Sequence, residues 1–214
     1  MINIENVLAL IGAYLIGSIP SAVWIGKAFY SIDVREYGSG NAGATNTFRV
    51  LGKKAGIPVL LIDIIKGYMA LQLVLFIGNY LPGTQQYITF KLTLGIAALL
   101  GHIFPIFAGF RGGKGVATLL GILIAVQPVA ALICTVIFVF ILLISGYVSL
   151  GSMTAAIAYP FIIMLVLHET IPIVNIFAMA VAILVLITHQ KNIERLLRGS
   201  ESKVAFLRKR DKQV

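Results

Sequence analysis

The sequence predicts an all-α, polytopic membrane protein of about seven transmembrane helices, with the N-terminus outside and the C-terminus cytoplasmic. Three observations carry that expectation. Hydrophobic residues fill 59% of the 214 positions and charged residues only 12%, where soluble domains run near one half and one quarter. Mean hydropathy is +0.97, too apolar for one soluble core of this length to enclose. The apolar residues also fall into runs close to the roughly 20 residues that cross about 30 Å of hydrocarbon. The length suits one integral-membrane domain over residues 1–214.

The spans follow in order. Val7–Gly26 is the first. The segment before it carries Glu5 and no Lys or Arg, unlike the basic start of a signal peptide, so this run reads as a permanent span. Ile57–Ile77 is the second, opened by Pro58 where a missing N–H does little harm. Phe90–Ala108 is the third. Val116–Ser145 holds 30 residues, which as one helix would reach about 45 Å. Gln127-Pro128 interrupts it near the middle. Met153–Leu167 and Ile171–Thr188 complete the set.

Charge decides how the long run is used. Basic residues mark cytoplasmic loops. Lys27, Arg35, Arg49, Lys53 and Lys54 flank the first loop, and Lys191, Arg195, Arg198, Lys203, Arg208, Lys209, Arg210 and Lys212 fill the tail after His189. Starting outside, three crossings bring Arg111 and Lys114 inside. A single crossing by Val116–Ser145 would then strand the basic tail outside, whereas a helical hairpin keeps it inside. The net charge of +9 therefore reads as loop charge facing lipid headgroups and phosphorylated substrates, not nucleic acid. One cysteine, Cys134, sits in an apolar run and reads as packing; no disulfide or metal cluster is available to it.

The predicted cytoplasmic segments hold the chemistry. The first contains Gly38-Ser39-Gly40-Asn41-Ala42-Gly43-Ala44-Thr45-Asn46 and then Arg49. No βαβ unit surrounds it, so the glycine spacing does not indicate a dinucleotide fold. It does let backbone N–H groups turn toward an anion. Ser39, Asn41, Thr45 and Asn46 add donors, and Arg49 adds a bidentate clamp. The second, Phe110-Arg111-Gly112-Gly113-Lys114-Gly115, is a glycine-rich cationic turn at a helix start, without the spacing of a Walker loop. The third offers Ser149 and Ser152. The fourth places His189, Asn192 and Arg195 on one helical face. Asp63 and Lys66 lie three apart inside the second span, where ionisable groups are costly, and read as an ion pair supporting the site. His102 in the third span reads as a packed or hydrogen-bonded support.

These segments resemble the acyl-phosphate-dependent glycerol-3-phosphate 1-acyltransferases of bacterial membranes. GSGNAGATN with Arg49, GHIFPIFAGFRGGKGVAT and HQKNIERLLRGSE look like that family's three motifs. Gly17-Ser18-Ile19-Pro20 and Asp63-Ile64-Ile65-Lys66-Gly67 are similar too. The resemblance implies seven helices in the bacterial cytoplasmic (inner) membrane. It implies acyl transfer from acyl phosphate to the 1-hydroxyl of glycerol 3-phosphate, giving lysophosphatidic acid and phosphate, without metal, cofactor or coenzyme A. Lys114, His189, Asn192 and Ser152 are then the expected catalytic set. Ser39, Gly40, Asn41, Thr45, Asn46, Arg49, Arg111, Gly112, Gly113, Gly115 and Ser149 are the expected phosphate contacts, with the N–H groups of Gly112, Gly113 and Gly115 cradling the donor phosphate. Asp63, Lys66, His102 and Arg195 are expected to support them. Membrane lipids and the two substrates are the expected partners; the sequence leaves oligomeric state open. The rival expectation is a transporter or exchanger of organic phosphates, since broken spans and intramembrane charges also suit transport.

Overall fold

The computed structural model describes residues 3–78 and 80–204, and all regular structure among them is helical. Arg208, Lys209, Arg210 and Lys212 of the basic tail lie outside the described residues.

The first expected span is two helices, α1 (Ile4–Gly17) and α2 (Ser21–Tyr30), bent by 43°. Pro20 causes the break: it lacks an N–H and disfavours helical backbone at Ile19. Buried side chains then serve the freed groups. Lys66 Nζ donates to Ile19 O at 2.8 Å and Ser21 Oγ donates to Asp63 Oδ1 at 2.7 Å. The Asp63–Lys66 ion pair closes at 2.8 Å.

The polar loop leads into α3 (Ala44–Leu51) and α4 (Lys53–Gln72). Pro58 lies inside α4 instead of opening it; so near a helix start, it forfeits a single backbone hydrogen bond. α5 (Gln85–Ile103) starts on Thr84, whose Oγ1 accepts from Tyr87 N at 3.2 Å, and stops short of Pro105.

The long apolar run divides into α6 (Val116–Val126) and α7 (Pro128–Ser145), broken at Gln127. The start of α6 and the end of α7 lie at the same end of the bundle. Lys114, just before α6, donates to Asn192, and Asn192 donates to Glu201, which also accepts from Ser149 just beyond α7. The two helices therefore form a hairpin. α8 (Val148–Phe161) continues into a π-helical turn, Ile162–Val166. α9 (Pro172–Thr188) and α10 (Gln190–Leu197) meet at His189 with a 60° bend.

Glycines set the closest helix crossings. A Cβ on Gly67 would lie 2.1 Å from Thr118 O, and one on Gly121 would lie 1.9 Å from Ile64 O, so α4 and α6 touch backbone to backbone. Gly17 and Gly101 do the same for α1 and α5, at 2.0 Å from Ala98 O and 2.2 Å from Tyr14 O. Small residues are the usual means of such contact when lipid supplies no hydrophobic drive between helices. Cys134 is buried in the main apolar cluster, as expected of a packing residue.

Among the described residues, four stretches are each long and apolar enough to cross a membrane: Lys53–Phe76, Gln85–Ala108, Pro128–Ser145 and Val148–Val166. The bent pairs α1–α2 and α9–α10 raise this to six. α6, with 11 residues, falls short of that length. Leu132, Val136, Phe140 and Leu143 along α7 are all more than half exposed, the pattern of a helix that faces lipid instead of water.

Candidate active site

The four polar segments meet at one end of the bundle: side chains of the second, third and fourth contact one another, and the first joins them through Arg35, whose Nη1 donates to Ala108 O at 2.7 Å, and through the charge of Arg49. Lys114 Nζ donates to Asn192 Oδ1. Asn192 Nδ2 donates to Glu201 Oε1 at 2.6 Å, Ser149 Oγ donates to the same oxygen at 2.7 Å, and Arg195 Nε donates to Oε2 at 2.6 Å. Arg49 lies near enough for its charge to act on Lys114. His189 is 2% exposed, and its Nδ1–H donates to Val185 O at 2.7 Å. A carbonyl can only accept, so this bond fixes the tautomer and leaves Nε2 as an acceptor. Ser152 Oγ donates to Val148 O at 2.9 Å, within its own helix.

Electrostatics follow from this crowding of cations. Burial pushes the Lys114 ammonium down to about 8; the Glu201 carboxylate opposes that, while Arg195 and Arg49 add to it. Burial pushes the Glu201 carboxyl up, but hydrogen bonds from Arg195, Ser149 and Asn192 outweigh it and hold the group below its ordinary value. Glu201 is thus the counter-ion of the cluster.

The first glycine loop is built around Asn46, which is 1% exposed. Its Nδ2 donates to Val34 O at 2.8 Å and Tyr37 O at 3.1 Å. Its Oδ1 accepts from Ser39 N at 2.8 Å and Ser39 Oγ at 3.1 Å. Gly38 and Gly40 take φ of +62° and +71°, the left-handed region that glycine enters without strain. Gly40 N donates to Tyr37 O at 3.1 Å. Asn46 therefore shapes the loop with the donors expected to reach a phosphate. Thr45 and Arg49 remain exposed on α3, and Asn41 is half-buried.

The second loop also corrects an expectation. Gly112 N donates to Ile103 O and Gly113 N to His102 O, each at 3.2 Å. These amides satisfy the last carbonyls of α5 and are not free for an anion. The amides without an intrahelical acceptor are those opening α6, from Val116 onward. The glycines are needed for closeness: a Cβ on Gly113 would sit 2.2 Å from His102 Nε2, and one on Gly112 would sit 2.0 Å from His102 O. His102 is 5% exposed, and its Nδ1 shares a 3.0 Å hydrogen bond with Thr118 Oγ1. It lies 3.7 Å from Asp63 Oδ1. The expected supports Asp63, Lys66 and His102 thus form one buried chain behind this loop. Arg111 is exposed.

Glu201, Asp33 and Arg35 were missing from the sequence-based set. Asp33 and Arg35 form a two-pronged ion pair, Nε to Oδ1 at 2.9 Å and Nη2 to Oδ2 at 2.7 Å. Glu201 closes the HQKNIERLLRGSE motif, one of three acidic residues in a tail rich in Lys and Arg, and nothing in that pattern sets it apart from Glu194.

The family model described as glycerol-3-phosphate acyltransferase matches residues 7–199. A glycerol-3-phosphate acyltransferase of Enterococcus faecalis is 46% identical over 94% of this chain and 92% of that protein. One from Chlorobaculum tepidum is 43% identical over 94% and 97%. The crystal structure of PlsY, an integral membrane glycerol 3-phosphate acyltransferase in its glycerol 3-phosphate form, superposes with a TM-score of 0.83 at 37% identity, covering 94% of this chain and 96% of that one. Its lysophosphatidic acid form gives 0.80 at 35% identity, with the same coverage.

Proposed function

The chain belongs to the glycerol-3-phosphate acyltransferase family, and from that premise we propose how its site carries the reaction. It is an integral membrane enzyme that transfers an acyl group to glycerol 3-phosphate. That membership displaces the exchanger alternative.

The donor is an acyl phosphate and the acceptor atom is the 1-hydroxyl oxygen. That oxygen attacks the acyl carbonyl carbon, and the tetrahedral adduct collapses by breaking the bond from carbon to the phosphate oxygen. Lysophosphatidic acid and inorganic phosphate leave. Two phosphate groups must be held side by side, and the single observation that carries this reading is the convergence of Lys114 and Arg195 on Asn192 and Glu201, with Arg49 near enough for its charge to act on Lys114. Lys114 and the first amides of α6 neutralise the departing phosphate and the charge that develops in the transition state. Arg49, with Ser39, Asn41 and Thr45 beside it, holds the other phosphate. Asn192 and Ser149, fixed by Glu201, and Ser152 near them orient the glycerol.

His189 Nε2 accepts from the attacking hydroxyl and aims it. The proton itself passes to a phosphate oxygen of the donor. Charging a buried imidazole beside the Lys114 ammonium would set two cations together without water to screen them. His189→Ala should therefore weaken glycerol 3-phosphate binding more than turnover at saturation.

The spans run with the N-terminus outside and the site on the cytoplasmic side of the bacterial inner membrane, the α6–α7 hairpin making seven helices in one domain. The excess of Lys and Arg in the site loops supports this. Purified protein in detergent, given synthetic acyl phosphate and glycerol 3-phosphate, should release one inorganic phosphate per lysophosphatidate. Use of acyl-coenzyme A with no turnover of acyl phosphate would reject the donor assignment.

A further inference from the structure

Two glycine-rich loops can serve one pair of substrates only if something fixes their register, and the sequence puts more than 60 residues between Arg49 and Lys114. We propose that Arg35 is the positioning residue that sets this register, by tying the first loop to the backbone of the second. This rests on the site assignment above.

Arg35 lies in a short 3₁₀ turn, Val34–Glu36, at the root of the first loop. Its Nη1 donates to Ala108 O at 2.7 Å and reaches Arg111 O at 3.4 Å. Those carbonyls belong to the turn that carries Gly112, Gly113 and Lys114. The other edge of the guanidinium is locked on Asp33, whose Oδ1 also accepts from Arg35 N at 3.0 Å. Only 14% of the Arg35 side chain and 11% of the Asp33 side chain are exposed, so water competes little for these bonds. Lys27 approaches the same carboxylate at 3.4 Å. The Arg35 hydrogen bonds hold the Asp33 carboxyl well below the usual carboxylate range, so the pair stays charged at any pH near neutrality.

The chain of contacts continues on both sides. Asn46 takes Val34 O, the residue next to Arg35, and so couples the clamp to the loop that precedes Arg49. On the far side, Gly112 and Gly113 hold the second loop to α5. A planar guanidinium meets a carboxylate and a carbonyl on different edges at fixed angles, which an ammonium cannot do. Arg35 touches neither substrate; it acts through the geometry of Lys114 and Arg49.

The test is steady-state kinetics of Arg35→Ala and Arg35→Lys beside Lys114→Ala, each with a melting curve in detergent. Lys114→Ala tests the site itself: if it keeps wild-type kcat/KM, the site assignment fails and the clamp fails with it. With that control inactive, Arg35→Ala should lower kcat/KM for both substrates on the order of 100-fold, as an ångström-scale misplacement does. Millimolar guanidinium should restore part of the loss, which general loosening of the fold would not permit. Arg35→Lys should lose at least about tenfold at an unchanged melting temperature. If Arg35→Ala does not accumulate as folded protein, Arg35→Lys decides alone. The proposal is overturned if the folded variants stay within about twofold of wild type, if only one substrate is affected, or if guanidinium restores nothing.

Discussion

The two ends of the helical bundle are both polar, yet they spend their polar atoms differently. At the end away from the site, Lys91 Nζ donates to Ala125 O at 2.8 Å, meeting the carbonyls at the close of α6. Gln127 Nε2 donates to Glu169 Oε2 at 2.6 Å, while Ile171 N and Asn175 Nδ2 donate to Glu169 Oε1 and O at 2.9 Å and 3.2 Å. Nearly every group there serves a helix break. At the site end, Arg195 and Lys114 gather around one carboxylate, Arg49 lies near enough to act on Lys114, and the opening amides of α6 have no acceptor in their own helix. Surplus cation and free donors, not polarity itself, mark the end that receives anionic ligands.

The comparison breaks if charges at the two ends prove interchangeable. The largest expected effect is Lys114→Met, which should lower kcat/KM about 100- to 1,000-fold with the melting temperature unchanged. Gly113→Ala should come next. Its Cβ would collide with buried His102, and the displaced loop should cost on the order of 100-fold in kcat/KM. pH sharpens the contrast further. Lys114 works as a cation, and a lowered pKa means that its charge is lost earlier as pH rises. The kcat/KM profile should therefore fall above about pH 8. In Lys114→Arg that limb should vanish, because a guanidinium stays protonated.

Asn46→Ala should lower stability by about 1–3 kcal/mol, since it strands Val34 O, Tyr37 O and Ser39 N. Denaturation with coupled activity measurements would show both stability and turnover falling. The smallest effect on catalysis belongs to the far end. Glu169→Gln should cost about 1 kcal/mol of stability and leave kcat/KM within about twofold. A large loss of turnover there would erase the distinction between the ends.

Much of this was legible in the sequence. Hydropathy located the helices, and Gln127-Pro128 located the break in the long run. Charge asymmetry favoured a hairpin for that run, and the start of α6 and the end of α7 do lie at one end of the bundle. Lys114 and Asn192, from two motifs far apart in sequence, are in direct contact, with His189 close enough to feel the Lys114 charge. What stayed hidden was which donors are already in use. Glycine spacing says that a backbone can turn toward an anion, but not that Gly112 and Gly113 will spend their N–H groups on α5. An asparagine in a glycine loop looks the same whether it meets a phosphate or, like Asn46, holds the loop. Arg35 reads as loop charge in the sequence because, beyond its neighbour Asp33, it reaches backbone carbonyls more than 70 residues away, which no local pattern reveals. The bend at Pro20 escaped for a similar reason: the apolar run passes through it unbroken, and only the buried Lys66 and Asp63 make the break affordable.

The shortness of α6 bears on how two such unlike substrates can meet. Its 11 residues rise about 16 Å, whereas the 18 residues of α7 rise about 27 Å from the same hinge. The reacting end of α6 is therefore recessed, a step about 10 Å below the rim. Lys114 stands at that step, so a donor whose acyl chain lies between the helices would meet it without being raised to the end of α7.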